Sequence, residues 1–204
     1  DDTIDGGAGN DSLLGDGDRP VSTGDVDTLR GGAGKDRITS AVYPVGSTRV
    51  PLYDGGADND SMQINIKTPG TRARVIGGAG NDSVKFTSVR IPRPATFITM
   101  NLGPGRDSIN MIAPNTGLVQ GGDDNDSMIS TAPNVRLAGN EGNDRIILRG
   151  LTTIGTDTGL SGGPGDDTIT VSYGRPSRSI ADDAFKGSVF DCGAGTGDSL
   201  VVSF

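Results

Sequence analysis

The sequence predicts an all-β parallel solenoid, a β-roll or β-helix of about nine coils, from three observations. A glycine-rich motif that ends in aspartate recurs along the 204 residues, and apolar residues keep fixed distances from every copy. Hydrophobic residues make up only 32% of the chain and aromatic residues 4%, which is low for a compact core of ordinary size. We therefore expect a thin repetitive structure in which each coil packs on its neighbours.

The motif has the form G-G-x-G-x-D-x-U, where U is a large apolar residue, and its clearest copies begin at Gly6, Gly31 and Gly77. The copies end at nine aspartates: Asp11, Asp36, Asp60, Asp82, Asp107, Asp126, Asp144, Asp167 and Asp198. Asp2 and Asp27 each precede the next motif aspartate by nine residues, and after Asp36 the spacing widens to between 18 and 31 residues. The glycine-aspartate turns are thus expected on one edge of the solenoid, with loops of variable length on the other.

Two apolar columns flank the turns. The column two positions after each motif aspartate consists of Leu13, Ile38, Met62, Val84, Ile109, Met128, Ile146, Ile169 and Leu200. The column two positions before each first motif residue consists of Ile4, Leu29, Tyr53, Val75, Met100, Val119, Leu137, Leu160 and Phe190. The alternation around them has a period of two, which predicts short strands with one face inward. A disordered acidic linker has no reason to keep two such columns in register.

The loops are expected where most prolines collect, because proline cannot donate to the hydrogen-bond ladder of a sheet. Their predicted positions are 41–44, 92–94, 113–115, 132–134 and 173–187.

The composition indicates which metals the turns can bind. The chain has no His and a single Cys, which argues against zinc, haem and iron–sulfur sites. Carboxylates and backbone carbonyls remain, and these oxygen ligands suit hard cations such as Ca²⁺. One turn offers too few ligands for the six to eight that calcium takes, so each ion is expected between turns of successive coils. The net charge of −8 argues against nucleic acid as a partner.

The repeated motif resembles the nonapeptide of the repeats-in-toxin family, also called the haemolysin-type calcium-binding repeat. In that family two nonapeptides make one coil, and the resemblance implies calcium ions bridging stacked turns. It also implies a secreted, extracellular or cell-surface protein. The metal-ligating residues expected from motif and resemblance together are Asp2, Asp11, Asp27, Asp36, Asp60, Asp82, Asp107, Asp126, Asp144, Asp167 and Asp198.

Individual copies depart from the motif. Asp58 and Asp124 replace the third glycine, Asn140 the second and Leu102 the first. Asp tolerates left-handed backbone angles. In the stretched last copy Gly197 stands where the aspartate is expected, so Asp198 is either a ligand or a cap of its own turn. Four Asn-Asp-Ser triplets match the glycosylation pattern but lie inside the turns. Cys192 fills a first-glycine position and is interpreted as a turn residue rather than a reactive thiol.

Two functions remain open at this point. The first is a calcium-dependent structural or adhesive module of a secreted or surface bacterial protein, with a filament or fibre subunit as one form. The second is the C-terminal calcium-binding auxiliary or secretion domain of a secreted enzyme or toxin. Catalysis within the chain is not expected, because there is no His and no nucleophile elbow, and the turns account for the acidic residues. No polysaccharide-cleaving carboxylate–Arg cluster and no flat Thr array for ice binding are apparent.

We expect one solenoid domain over residues 1–204, as a fragment of a longer chain, because Asp2-Thr3-Ile4 match Asp167-Thr168-Ile169 partway through a motif. The open first coil predicts more solenoid before it, or end-to-end self-association. Arginines near the loop edge, which make anionic glycans a candidate partner, are Arg72, Arg90, Arg93, Arg149, Arg175 and Arg178. No apolar stretch is long enough to span a membrane as a helix.

Overall fold

The architecture was obtained from a computed structural model. It describes residues 2–15, 26–42, 49–67, 71–88, 97–112, 116–151, 157–173 and 188–203. These residues form two nine-stranded sheets in which all pairings are parallel, and no helix occurs among them. The predicted all-β parallel solenoid is thus confirmed. No helix in the described part is long and apolar enough to cross a membrane.

The strands alternate between the two sheets along the chain. The first sheet holds β1 (Thr3–Ala8), β3 (Thr28–Ala33), β5 (Leu52–Ala57), β7 (Arg72–Ala79), β9 (Phe97–Pro104), β11 (Thr116–Asp123), β13 (Asn134–Glu141), β15 (Gly159–Gly163) and β17 (Val189–Gly193). The second holds β2 (Ser12–Leu14), β4 (Arg37–Val42), β6 (Ser61–Ile66), β8 (Ser83–Ser88), β10 (Ser108–Ile112), β12 (Ser127–Ser130), β14 (Arg145–Leu151), β16 (Thr168–Tyr173) and β18 (Ser199–Ser203). Each strand pairs with the strands of the coils before and after it, so one coil is an odd strand, a turn and an even strand.

The two edges of the solenoid differ in the lengths of the connections between strands. On the turn edge the chain passes from the odd to the even strand in three residues in the first seven coils, and in four and five residues in the last two. On the other edge, from the even strand to the next odd strand, the connection varies from 3 to 15 residues. Constant length is expected where successive turns stack on one another, and variable length where they do not.

Most of the predicted loop residues, including 43–44, 92–94, 113–115 and 174–187, lie outside the described residues. Three boundaries differ from the prediction. Ala41 and Val42 belong to β4, Tyr173 to β16, and Asn134 begins β13. The strands extend because each gains ladder hydrogen bonds from the neighbouring coil, which a local proline signal does not reveal.

The core is the narrow space between the sheets, and the two predicted columns form its centre. Leu29, Tyr53, Ile38 and Met62 are each no more than 1% exposed, and the same holds for the columns from Leu29 to Leu160 and from Ile38 to Ile169. Further inward positions, including Ile64, Phe86 and Ile98, widen the core toward the loop edge. No strand buries more than about three hydrophobic side chains, so each coil depends on its neighbours for stability.

Candidate metal centres

The motif aspartates form a hydrogen-bonded column along the turn edge. The backbone N–H of each one donates to Oδ1 of the aspartate in the next coil, at 2.7–2.8 Å. The column runs from Asp11 to Asp198 in this order: Asp11, Asp36, Asp60, Asp82, Asp107, Asp126, Asp144, Asp167, Asp198. The carbonyl of each aspartate up to Asp167 accepts the N–H of the residue that follows the next aspartate. One carboxylate oxygen and the backbone are therefore satisfied within the protein.

The second carboxylate oxygen has no partner. Oδ2 is buried and makes no hydrogen bond in eight members of the column: Asp11, Asp36, Asp60, Asp82, Asp107, Asp126, Asp144 and Asp167. From Asp36 to Asp167 these side chains are at most 3% exposed. A buried carboxylate oxygen without a partner costs free energy of several kcal/mol by order of magnitude. Eight in a row indicate a cation that the oxygens are arranged to bind.

Glycine at the first motif position allows two oxygens to approach each other closely. At Gly31, an added Cβ would lie within 3 Å of Asp36 Oδ2 and of the Gly55 carbonyl oxygen in the next coil. Real Cβ atoms essentially never show such distances, so a residue with a side chain would have to push these two oxygens apart. A carboxylate oxygen and a carbonyl oxygen of successive coils therefore face one point. The residues present fit a hard cation between stacked turns.

Carboxylates alone do not complete such a site. Within the described ranges no group of three or more Asp, Glu, Cys or His side chains converges. Each of the first eight turns offers a single buried carboxylate oxygen, and the remaining ligands must come mainly from backbone carbonyls. This is a donor set for Ca²⁺ rather than for zinc, which prefers His and Cys.

Without a bound cation, the pKa values of several aspartates in the column are raised above the ordinary value of an Asp side chain. Burial, which disfavours the charged form, raises the pKa of Asp60 and Asp144 to about 6. For the same reason it raises the pKa of Asp107 and Asp126 to about 7, and the charges of neighbouring aspartates add to the effect. The pKa of Asp82 and of Asp167 is also raised by burial.

The three non-glycine residues at the second and third glycine positions adopt left-handed backbone angles, as expected for Asp and Asn. The φ angles of Asp58 and Asp124 are 75° and that of Asn140 is 77°. At the equivalent positions Gly34 and Gly56 have φ angles of 118° and 110°. The turn geometry is thus kept where glycine is absent, although left-handed backbone angles are less favourable for residues with a Cβ.

Asp2 and Asp27 lie on the opposite edge, before β1 and β3. The N–H of Asp2 donates to Oδ1 of Asp27 at 3.1 Å, and Asp27 is 4% exposed. Pro51 takes the equivalent position before β5, so this second column ends after two members. The sequence-based ligands therefore divide into two separate columns.

Asp198 takes the last place in the long column despite the extra residue in its turn. Its Oδ1 accepts the N–H of Asp167 at 2.8 Å, and its Oδ2 accepts the N–H of Gly195 at 3.0 Å. It is thus both a column member and a cap of its own turn. Cys192 is a free, half-buried cysteine that packs against the core. Burial and the charge of Asp198 raise the pKa of its thiol, which keeps it in the unreactive neutral form.

A second hydrogen-bond ladder, which we did not predict, runs along the outside of the turns at the fifth motif position. The Asn side-chain oxygen accepts the backbone N–H of the equivalent residue in the next coil at 2.7–2.9 Å: Asn10 from Lys35, Asn59 from Asn81, Asn81 from Arg106, Asn125 from Asn143 and Asn143 from Asp166. The pattern in the sequence that corresponds to this ladder is the recurrence of Asn immediately before the motif Asp. The pattern by itself marks these Asn residues only as part of the repeat.

The fold and the turn column define a metal-binding β-solenoid built from glycine-aspartate repeats. The family model for the RTX calcium-binding nonapeptide repeat (4 copies) matches residues 1–19, 22–40 and 120–150. The three matched stretches are therefore repeats of the RTX calcium-binding type, which confirms the resemblance, and such repeats imply Ca²⁺ binding. Such repeats generally occur in secreted bacterial proteins and form a structural, typically non-catalytic fold. Comparison with curated proteins and with solved structures gave no match.

Proposed function

We propose that the chain is a calcium-dependent structural or adhesive solenoid module of a secreted or cell-surface protein. The single observation that carries the proposal is the column of buried Oδ2 atoms without a partner. In this proposal the motif aspartates supply one ligand per turn, and backbone carbonyls of adjacent coils supply the others. Asp2 and Asp27 form a smaller site on the opposite edge, and Asp198 ends the main column.

Calcium has a clear energetic role in such a column. Carboxylates stacked at the strand spacing of about 4.8 Å repel each other by about 3 kcal/mol per step at an effective dielectric of 20. A core this narrow, with at most about three buried hydrophobic side chains per strand, can hardly offset this repulsion together with the chain entropy. A bound cation converts the repulsion between neighbours into attraction to a shared ion. Calcium binding and folding should therefore be one process.

The loop edge supports the structural or adhesive role over the role of a secretion domain. Connections of 3 to 15 residues on that edge add surface that calcium-driven folding by itself does not require. Loops carried on a rigid scaffold are the common location of binding surfaces. If the isolated chain folds with calcium but binds no surface and no copy of itself, the secretion-domain function is favoured.

Self-association is one form that the structural role could take. In the last coil Leu200 is 46% exposed and Val202 36%, whereas Ile169 and Val171, their partners in the previous coil, are fully buried. A further coil, from the same or another chain, would cover these residues. Repeated end-to-end, such contacts produce a filament.

Anionic glycans remain a weaker candidate partner. Of the six arginines that suggested them, only Arg72 and Arg149 fall in the described ranges. Both are exposed, but they lie in different sheets, in β7 and β14. A single basic face would depend on the other four. Charge reversal at Arg90 and Arg93 with unchanged binding to heparin-like glycans would remove this candidate.

Removal of calcium tests the proposal directly. Chelation of a calcium-loaded sample should abolish the β signal in far-ultraviolet circular dichroism, and renewed calcium should restore it. Magnesium at the same concentration is the control, because its demand for near-octahedral geometry fits this backbone-rich donor set poorly. A spectrum that chelator leaves unchanged would show that the apolar columns suffice to fold the chain.

A further inference from the structure

In the fifth coil (β9, the turn and β10) the first motif position is Leu102, and in the ninth coil it is Cys192. In seven coils the first motif position is glycine: Gly6, Gly31, Gly55, Gly77, Gly121, Gly139 and Gly162. At each of these, an added Cβ would lie within 3 Å of Oδ2 of the motif aspartate in the same coil. It would also lie within 3 Å of the carbonyl oxygen of the first motif residue in the next coil. In these seven coils the carboxylate oxygen and the carbonyl oxygen of the next coil therefore approach the glycine more closely than a residue with a Cβ would allow.

In the fifth coil this position is Leu102, which has a real Cβ there and a side chain that is fully buried in the core. The carboxylate of this coil, Asp107, still has a buried Oδ2 without a partner. An aliphatic side chain offers no ligand and takes up the room beside that oxygen. The turn of Asp107 thus has an aliphatic side chain at the first motif position, whereas the turns of the seven equivalent aspartates have none there.

The exception is limited to one step of the column. Asp107 still accepts the N–H of Asp82 at 2.7 Å and donates its own N–H to Asp126 at 2.8 Å. The carbonyl oxygen of Leu102 still lies within 3 Å of the position that a Cβ would take at Gly77, in the coil before it. The aspartate ladder therefore continues through the fifth coil. In the coils on either side, the oxygens beside Gly77 and Gly121 keep the arrangement found at the other glycines.

We propose that Leu102 removes the calcium site between the fifth and sixth coils, leaving seven sites on the turn edge in two runs. The first run of four uses Asp11, Asp36, Asp60 and Asp82, and the second run of three uses Asp126, Asp144 and Asp167. Between them the fifth coil is a spacer without metal, held by apolar packing and the aspartate ladder. This inference rests on the proposed role of the column in binding calcium.

Leu102→Gly and Leu102→Ala form a matched pair of variants, because both remove the same apolar side chain but only glycine also removes the Cβ. Native mass spectrometry at saturating calcium should show one more calcium ion per chain in Leu102→Gly than in the wild type, and no gain in Leu102→Ala. Equal counts in the wild type and Leu102→Gly would overturn the inference. A gain of one ion in both variants would overturn it too.

The reciprocal variant covers the possibility that Leu102→Gly fails to fold. Gly121→Ala puts a Cβ beside Asp126 Oδ2 and should lower the count by one ion, and an unchanged count would overturn the inference. Failure of the proposed function would look different, since then the wild type would bind no calcium or Asp126→Asn would lose none. The differences between variants, rather than the total, decide the inference.

Discussion

Each motif aspartate divides its two carboxylate oxygens between two tasks. Oδ1 accepts a backbone N–H from the preceding coil and so contributes to the stacking of coils, while Oδ2 is buried without a partner. A change that alters only one oxygen can therefore separate folding from metal binding. Asparagine retains an oxygen that can accept the N–H and replaces the charged oxygen with an amide nitrogen.

Asp126→Asn should change the sign of its effect with calcium. With saturating calcium the loss of a charged ligand should lower the free energy of unfolding by about 1–3 kcal/mol. With chelator the same variant should be more stable than the wild type, because burial favours an uncharged group at this position. Thermal denaturation in calcium measures the first effect. The second is measured by the pH at which the β signal returns in the presence of chelator, which should be higher in the variant because it has one carboxylate fewer to protonate.

The matched control for this variant is Asp123→Asn, which removes one charge from an exposed position in the same turn. It should be nearly neutral with calcium. Equal destabilisation by the two substitutions would mean that net charge, rather than ligation, determines the result.

Asn140 offers a second test at single-residue scale. Its φ angle of 77° is accessible to asparagine and easier for glycine. Asn140→Ala should lower the free energy of unfolding by about 1–2 kcal/mol, the cost of a left-handed backbone for a residue with a Cβ. Asn140→Gly should be neutral or slightly stabilising, measured by chemical denaturation in calcium. An equal loss in both variants would point to a side-chain contact instead of the backbone angle.

At the scale of the element, the column of aspartates acts as a unit because each member lies between two others of the same charge. In the absence of calcium the pKa values of Asp60, Asp107, Asp126 and Asp144 are raised from 3.8 to about 6 or about 7. A raised folded-state pKa means that the metal-free folded chain binds protons more tightly than the unfolded chain. The stability contributed by this protonation is fully present below pH 3.8 and is lost as the pH rises through 6 to 7.

Acidification should therefore partly replace calcium. With chelator present, lowering the pH from 8 to 5 should increase the β signal in circular dichroism, with a midpoint between about 6 and 7. With limiting calcium the same change should release the metal, because protons compete for Oδ2. A metal-free chain whose signal does not change between pH 8 and 5 would contradict the prediction.

At the scale of the whole molecule, the last coil exposes apolar side chains at positions that the preceding coils bury. Leu200 and Val202 extend the two inward columns of the second sheet, while Val201 between them points outward and is 47% exposed. A substitution at the outward-pointing Val201 can therefore serve as the control for the same substitution at the inward-pointing Leu200.

Leu200→Lys should abolish calcium-dependent end-to-end association, and Val201→Lys should leave it close to the wild-type level. The reason is that only Leu200 lies where a further coil would pack. Static light scattering of the calcium-loaded chain over a range of concentrations measures both variants. A wild-type chain that stays monomeric over the whole range would contradict the prediction.

The sequence by itself determined the class of fold, the turn residues and the two apolar columns, because these depend on local patterns. A glycine at a left-handed position and an aspartate two residues before an apolar one can be recognised in any single copy. The left-handed angles of Asp58, Asp124 and Asn140 could be expected for the same reason.

Only the tertiary structure decided which oxygens are satisfied and which are not. The hydrogen bonds of the column join residues 18 to 31 positions apart, and the separation changes with each loop, so no period in the sequence reveals them. The Asn ladder, the separate column of Asp2 and Asp27 and the place of Asp198 were decided in the same way. The sequence shows that Leu102 replaces a glycine, but the consequence appears only when the coils are stacked, because the two oxygens beside this position belong to two successive coils.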